Sequence, residues 1–365
     1  MKSSLFSIIG IFLFLLLICQ TGHTNPLRIG VAGLSHDHAH WVFQGQHQDD
    51  ILIAGIAEPN RQLAERYARQ YGFSMDLVYD TLEEMIDETQ PEAVTAFGSI
   101  YDHLEVVRIS APKGIHVMVE KPLAVSLKDA REMVQLAKKH DIHLLTNYET
   151  TWYATNHEIY QKAIDEKRLG TLRKIEVYDG HEGPVEIGCS SEFLSWLTDP
   201  VLNGGGAIID FGCYGANLAT WLMKNQKPTA VWGITHQFKP DIYPNVDDEA
   251  TIILEYPETQ VVIQASWNWP FSRKDMKVYG EKGYMYAADA KNIESRFSGG
   301  SGTQTMNPRP APYDNPFRFL AAVVREKIKM DPLDLSSPEN NLIVMEILDA
   351  ARKSAETGRK IILDP

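Results

Sequence analysis

Residues 27–41 read LRIGVAGLSHDHAHW. A short apolar run, Leu27 to Ala32, leads directly into Gly33 and then into a polar turn rich in histidine. In a parallel α/β unit the first strand ends in a glycine-bearing turn. Glycine there lets the backbone approach a pyrophosphate seated on the next helix N-terminus. Against the dinucleotide pattern G-x-G-x-x-G, only Gly33 keeps its glycine, and Ser35 and His38 stand in the other two places. The turn is therefore a weak signal alone, and its neighbours decide how it is read.

Outward from the turn, the same alternation repeats. Ile51 to Ala57, Ala93 to Phe97, His116 to Val119 and His143 to Thr146 are short apolar runs. Between them, Arg61 to Tyr71 places Leu63, Tyr67 and Tyr71 four apart, and Ser126 to His140 opens with Ser126 and Asp129 three apart before an apolar stripe. That is helical spacing with a cap-like start. Strands alternating with amphipathic helices predict parallel βαβ units, so residues 25–147 read as a doubly wound sheet. After about residue 148 the pattern changes. Lys174 to Tyr178, Ala230 to Gln237, Ala250 to Tyr256, Gln260 to Trp267 and Lys277 to Gly280 are strand-like with no helix between most of them. This predicts an α/β domain over 148–337 with a large, open, mostly antiparallel sheet. Asn292 to Asn315, rich in Gly, Ser, Pro and Asn, reads as a long loop. Residues 338–365 read as a helix closing back against the first domain.

Composition bounds the rest. The chain has 365 residues, enough for two domains with real cores, and a formal net charge of −13. An acidic protein repels phosphate backbones, which argues against nucleic acid as a partner. Three Cys are too few for a disulfide scaffold. Leu5 to Ile18 carry no charge, Lys2 precedes them, and a polar stretch follows. That is the layout of a secretory leader ending near Thr24, and the run is short for a membrane span. The expectation is export through a leader over 1–24, with membrane attachment only if that segment stays as an anchor.

Chemistry-bearing residues cluster at predicted strand ends. Glu58 closes the second strand, 25 residues after Gly33. A carboxylate there accepts hydrogen bonds from ribose hydroxyls and repels a 2′-phosphate, which favours NAD over NADP. Glu120-Lys121-Pro122 follows the strand at Val117 to Val119, where such sheets bind ligands. Lys121 there would hold a substrate oxygen. Gly204 to Gly215, GGGAIIDFGCYG, sets Asp210 and Tyr214 four apart, on one face if the segment is helical. A carboxylate and a phenol on one face suit hydroxyl recognition and proton transfer. The bland reading is a glycine turn before a packing helix. His36, His38 and His40 crowd the first turn, and His36 and His40 have a metal-compatible spacing on a helix. No HExxH or CxxC-type partner accompanies them, so no metal is expected. Trp152, Trp196, Trp267 and Trp269 offer flat faces for sugar rings.

Together these pieces resemble the Gfo/Idh/MocA oxidoreductase family. The likeness is carried by IGVAGLSH, Glu58, Glu120-Lys121-Pro122, GGGAIIDFGCYG, the run Val246 to Ala250, and Gly280 to Gly283. It implies an N-terminal Rossmann domain that binds NAD(P), and a C-terminal sheet domain that covers a small carbohydrate-like substrate and makes a homo-oligomer. By the same resemblance Lys121 contacts the reacting oxygen, Asp210 is the helix carboxylate at the substrate, and Tyr214 takes the place usually held by a catalytic histidine. A free phenol has a pKa of about 10 against about 6.5 for imidazole, so Tyr214 serves as base only if a positive charge holds its phenolate. His181, in an H-x-G-P stretch, is a second acid–base candidate. Gly33, Ser35, His36, Asp37, Glu58, Ser99, His103, Glu120 and Lys121 are the expected cofactor contacts. The implied activity is NAD-dependent oxidation or reduction of a hydroxyl or carbonyl on a sugar or polyol. Two alternatives stay open: bond cleavage through transient oxidation with the NAD recycled in place, and a non-catalytic sugar-binding protein on the same scaffold.

Overall fold

The computed structural model describes residues 25–44 and 49–364. The expected leader over residues 1–24 lies outside them. Six strands make the first sheet: β1 (Leu27–Ala32), β2 (Ile51–Ala57), β3 (Val78–Tyr79), β4 (Ala93–Ala96), β5 (His116–Glu120) and β6 (Leu144–Asn147). Every pairing is parallel and the order is β3-β2-β1-β4-β5-β6. The order reverses between β1 and β4, and ligands bind at the carboxyl ends of strands beside such a reversal. The turns after β1 and β4 touch there. Gly33 has φ +81°, and a Cβ on it would lie 2.8 Å from the Gly98 amide nitrogen. Only glycine lets these two backbones meet. The helices predicted from spacing form at Arg61–Tyr71 and Leu127–His140, the second capped by Ser126, whose hydroxyl accepts from the Asp129 amide.

The second sheet has nine strands: β7 (Leu172–Gly180), β8 (Ala230–His236), β9 (Glu249–Glu255), β10 (Gln260–Ser266), β11 (Arg273–Gly280), β12 (Gly283–Ala287), β13 (Asn292–Phe297), β14 (Gly300–Thr305) and β15 (Ile361–Ile362). The order is β14-β13-β12-β11-β7-β10-β9-β8-β15, antiparallel throughout except where β7 meets β10. Alternate residues of β7, Ile175, Val177 and Asp179, are buried, as are Val261, Ile263 and Ala265 of β10. The fully buried helix Gly212–Leu222 covers this face. A Cβ at Gly215 would come within 2.5 Å of Ile263, so glycine sets how closely helix and sheet approach.

Two regions differ from the sequence reading. Residues 292–305, read as loop, form the hairpin β13–β14. Every residue of β14 is exposed, so it has no apolar alternation to reveal it; its partner's edge decides the pairing. The closing of the chain is also shared out differently. Helix Pro338–Thr357 packs on β8 and on helix Gly212–Leu222 of the second unit as well as on helix Leu127–His140 of the first. The earlier helix Pro316–Val324 instead inserts Phe317, Phe319 and Leu320 into the core around Leu27, Ile29 and Ile51. Its aromatic and branched residues fill the first domain although it lies within 148–337. Among the described residues, no helix is long and apolar enough to cross a membrane.

Candidate active site

The site is built at the carboxyl ends of β1, β2, β4, β5 and β6. At the end of β2, Glu58 is buried, and its two oxygens accept from the backbone N–H groups of Leu34 and Asn60, both at 2.8 Å. Burial pushes its pKa up and these amides pull it back. Glu58 thus ties the end of its own strand to the glycine turn. The amides of Ser35 and Asp37 have no acceptor among the described residues. A left-handed glycine, two free N–H groups and a carboxylate at the end of β2 form a donor and acceptor set that fits a dinucleotide.

The side chains of that turn are committed elsewhere. His36 does not share a helical face with His40. It is the N-cap of a short turn, its Nδ1 accepting from the His38 amide at 3.0 Å, and its ring packs on Phe193 and Trp196. Asp37 accepts from the Ser190 amide (3.0 Å) and hydroxyl (2.6 Å). With Arg66 paired to Glu192 at 3.0 Å, this anchors residues 190–197 of the second unit across the nucleotide turn. Ser99 donates to Asp102 within its own turn, at 2.6 Å. His103 is fully buried, with Nδ1 3.2 Å from the Leu123 carbonyl, and burial lowers its pKa to about 4. It braces the segment after Pro122. The side chains of His36, Asp37, Ser99 and His103, residues expected to contact the cofactor, thus each have a protein partner as well.

Lys121 and Asp210 meet across the two units. The ammonium lies 2.5 Å from Asp210 Oδ1 and 3.0 Å from its backbone carbonyl, and both side chains are buried. The other carboxylate oxygen accepts from the indole of Trp267 at 2.9 Å. Burial pushes the lysine pKa down, but the Asp210 charge outweighs it and keeps the ammonium protonated; the same pair holds Asp210 ionised against its own burial. Both Asp210 oxygens thus have protein donors, and Asp210 positions Lys121. The ammonium stands 5.2 Å from the centre of the Tyr214 ring. The three residues do converge. Tyr214 is fully buried, and burial first, then the carboxylate of Glu149, drive its pKa well above 10. Burial thus holds it as a phenol.

Beside this group opens a cavity of about 570 Å³, lined by Glu149, Tyr153, His181, Phe211, Phe271 and Lys274 among others. His181 presents its ring edge-on to Phe211, and its Nδ1 accepts from the Gly183 amide at 3.0 Å. The Nε2 position then carries the proton of the neutral ring. Burial lowers the pKa of His181, so the ring is neutral and offers an N–H. Glu149, Tyr153 and Lys274 escaped the sequence reading. Lys274 bonds to Glu149 Oε2, and the Tyr153 hydroxyl donates to Oε1 at 2.5 Å. Arg273 is paired with both oxygens of Asp275, at 2.6 and 2.8 Å. The only advance signal was that Glu149 lies three residues after the predicted strand His143 to Thr146. Of the four tryptophans, Trp267 holds Asp210, Trp196 packs on His36, Trp152 donates to Asn147 at 3.0 Å and Trp269 donates to the Asp179 carbonyl at 3.3 Å. Phe211 and Phe271 supply the apolar faces of the cavity instead.

Glu120 lies at the end of β5, fully buried. Its Oε1 accepts from the Asn147 amide at 2.6 Å and its Oε2 lies 3.0 Å from His38 Nδ1. Among the described residues, His36, His38 and Glu120 are the one group of potential metal ligands, with donor atoms within 4.8 Å of one another. The two imidazole Nδ1 atoms are already used, one as acceptor and one facing the carboxylate.

Comparison with known proteins places this geometry. Residues 27–148 match the model of an oxidoreductase family with an NAD-binding Rossmann fold, and residues 157–286 match the GFO/IDH/MocA C-terminal domain. The chain is 24% identical over 239 residues to trans-1,2-dihydrobenzene-1,2-diol dehydrogenase of Xenopus laevis, covering 65% of this chain and 67% of that one. It is 20% identical over 344 residues to myo-inositol 2-dehydrogenase of Thermotoga maritima, covering 93% and 99%. The aldose-aldose oxidoreductase of Caulobacter crescentus, solved with glycerol, shares the fold with a TM-score of 0.79 at 21% identity, over 93% of this chain and all of that one.

Proposed function

Because the chain belongs to the GFO/IDH/MocA oxidoreductase family, with its NAD-binding Rossmann domain, we propose that it is an NAD-dependent dehydrogenase acting on a hydroxyl or carbonyl of a small neutral sugar or polyol. The observation that carries this reading is the buried Lys121–Asp210 pair standing next to the polar cavity. The dinucleotide would be held by the Gly33 turn, the amides of Ser35 and Asp37, and Glu58, whose charge disfavours a 2′-phosphate. When bound, it supplies two-electron exchange with a carbon bearing a hydroxyl or carbonyl. Lys121 offers its ammonium to the oxygen on that carbon and stabilises developing negative charge there. Asp210, fixed by Trp267, keeps that ammonium charged and aimed. His181 offers a second N–H from the cavity wall. Of the charges lining the cavity, Lys274 is paired with Glu149 and Arg273 with Asp275, so the cationic side chains there are not left to hold an anionic substrate.

The test is a panel. Myo-inositol, D-glucose and 1,5-anhydro-D-glucitol are offered with NAD⁺, and 1,5-anhydro-D-fructose with NADH, and absorbance is followed at the nicotinamide band. Turnover of at least one with preference for NAD over NADP is expected. Bond cleavage with no net NADH would favour the recycling chemistry, and no turnover with no NAD binding would leave only a sugar-binding role. Two further parts of the reading are separate proposals. The apolar segment over residues 5–18 supports an exported enzyme with residues 1–24 as its leader, tested by N-terminal sequencing of protein from the cell envelope, which should begin at Asn25. Exposed Trp232 and Ile234 on β8 support a homo-oligomer through the second sheet, tested by light scattering.

A further inference from the structure

The groups assigned to the reacting oxygen all hold protons. Lys121 is an ammonium, Tyr214 a phenol and His181 an N–H donor. Oxidation of an alcohol releases a proton, and none of the three is free to take it. Two carboxylates at the site are spent as well. Asp210 is taken by Lys121 and Trp267, and Glu149 by Lys274 and Tyr153. A further acceptor stands on the first turn.

It is found by following a hydrogen-bond chain from its fixed end. The Trp152 indole is only a donor, so the atom it meets at 3.0 Å is the Asn147 oxygen. The Asn147 amide nitrogen therefore points the other way and donates to Glu120 Oε1 at 2.6 Å. Glu120 Oε2 then faces His38 Nδ1 at 3.0 Å, and a carboxylate there takes the proton-bearing nitrogen. The remaining ring nitrogen, Nε2, keeps its lone pair and has no hydrogen-bond partner among the described residues. The ring is held flat against Trp41, with centroids 3.9 Å apart and planes 14° from parallel. A carboxylate that orients an imidazole and compensates its positive charge is a general-base arrangement. His38 also stands where the dinucleotide pattern asks for glycine.

We propose that His38, oriented by Glu120, is the proton acceptor of the oxidation, a role that rests on the dehydrogenase reading above. The substrate O–H bond breaks and its proton passes to His38 Nε2. The electron pair of that bond becomes the second bond of the carbonyl. The C–H bond breaks, and its hydrogen leaves with its electron pair to the oxidised dinucleotide. The charges facing His38 are Glu120 and Lys121 at the end of β5, Glu149 after β6, Lys274 on β11, and His36 and His40 on its own turn. Burial and the two lysines keep the ring neutral and ready to accept, and Glu120 offsets the charge once it has done so.

The test uses the full chain and the panel substrate that wild type oxidises. His38→Gly restores the glycine of the pattern, so folding and NAD⁺ binding, read by circular dichroism and tryptophan fluorescence, should persist. Turnover should fall about 100-fold, and added imidazole should restore part of it. Glu120→Gln, which keeps the imidazole but not its carboxylate, should lower kcat about tenfold and shift the acidic limb of the pH profile with KM little changed; it serves alone if the glycine variant does not fold. A His38→Gly enzyme within threefold of wild-type turnover, a loss that imidazole does not rescue, or a loss explained by failed NAD⁺ binding overturns the assignment while the dehydrogenase reading stands. A wild type that oxidises none of the panel removes both.

Discussion

Replacing Asp210 by Asn is the sharpest perturbation of the site, since the change is one atom and both partners are fixed. In the native pair, Oδ1 accepts from Lys121 at 2.5 Å and Oδ2 from Trp267 at 2.9 Å. Asparagine has one acceptor and one donor, whereas Lys121 and Trp267 are both donors. One of them must then face an N–H group, and Lys121 loses the charge that offsets its burial. Breaking a buried pair by removing one partner costs about 3–5 kcal/mol, most of it the uncompensated charge. The pH sign follows from the two shifts. Asp210 is depressed, so its contribution is present above the unfolded carboxylate value and lost on acidification through its folded value. Lys121 is raised, so its contribution is present below the unfolded lysine value and lost as pH rises through its folded value. The pair is therefore fully stabilising near neutrality. Urea unfolding at pH 7, followed by tryptophan fluorescence, should show D210N and Lys121→Met each destabilised by about 3 kcal/mol or more. The double variant Lys121→Met/Asp210→Leu should lose much less than the sum, because it leaves no orphan charge. Single costs below about 1 kcal/mol, or strict additivity, would refute the buried-pair reasoning.

Three shorter expectations follow from neighbouring contacts. Glu58→Ala removes the acceptor of two backbone amides at 2.8 Å, so NAD⁺ affinity should fall roughly tenfold or more and the preference over NADP⁺ should shrink, as read by fluorescence titration. An unchanged preference would remove Glu58 from cofactor selection. Asp37→Ala frees residues 190–197 from the nucleotide turn, so NAD⁺ should dissociate about tenfold faster in stopped flow; an unaltered rate means that the Ser190 contact restrains nothing. Asp247 accepts from the Gly206 and Ile208 amides, and burial raises its pKa to about 6. Its raised value means that the proton binds the folded state more tightly. Stability from this group is full below about pH 4 and falls as pH rises through 6, by about 2–3 kcal/mol. Asp247→Asn should flatten that part of the stability–pH curve, and a slope equal to wild type would show that the carboxyl does not titrate there.

Much of the fold was legible because hydrophobic period and caps are local. The strand ends after Ala32, Ala57, Ala96 and Glu120, and the helix behind the Ser126 cap, lie within a residue or two of where spacing alone puts them. Lys121 and Asp210 were legible as motifs, and their shared place at the site was implied by the family resemblance. Three features were hidden for physical reasons. The hairpin at residues 292–305 carries no buried face on its outer strand, so nothing in its own composition distinguishes it from loop. The Glu149–Lys274 pair joins residues 125 positions apart, and only the packing of two sheets brings them together. His38 was visible only as a missing glycine, because its meaning depends on Glu120, 82 residues away, and on the orientation that Trp152 imposes through Asn147. In each case residue type was readable but the partner was not.

The central claim is that Lys121 meets the reacting oxygen in an NAD-dependent oxidation. It is tested most directly by nicotinamide absorbance for wild type and Lys121→Ala on the same polyol, at saturating NAD⁺, with bound NAD⁺ quantified for both. The account predicts that the variant, though less stable by about 3 kcal/mol or more, still folds and binds NAD⁺ but turns over at least about 100-fold more slowly. Turnover within a few-fold of wild type, with NAD⁺ equally bound, would contradict it.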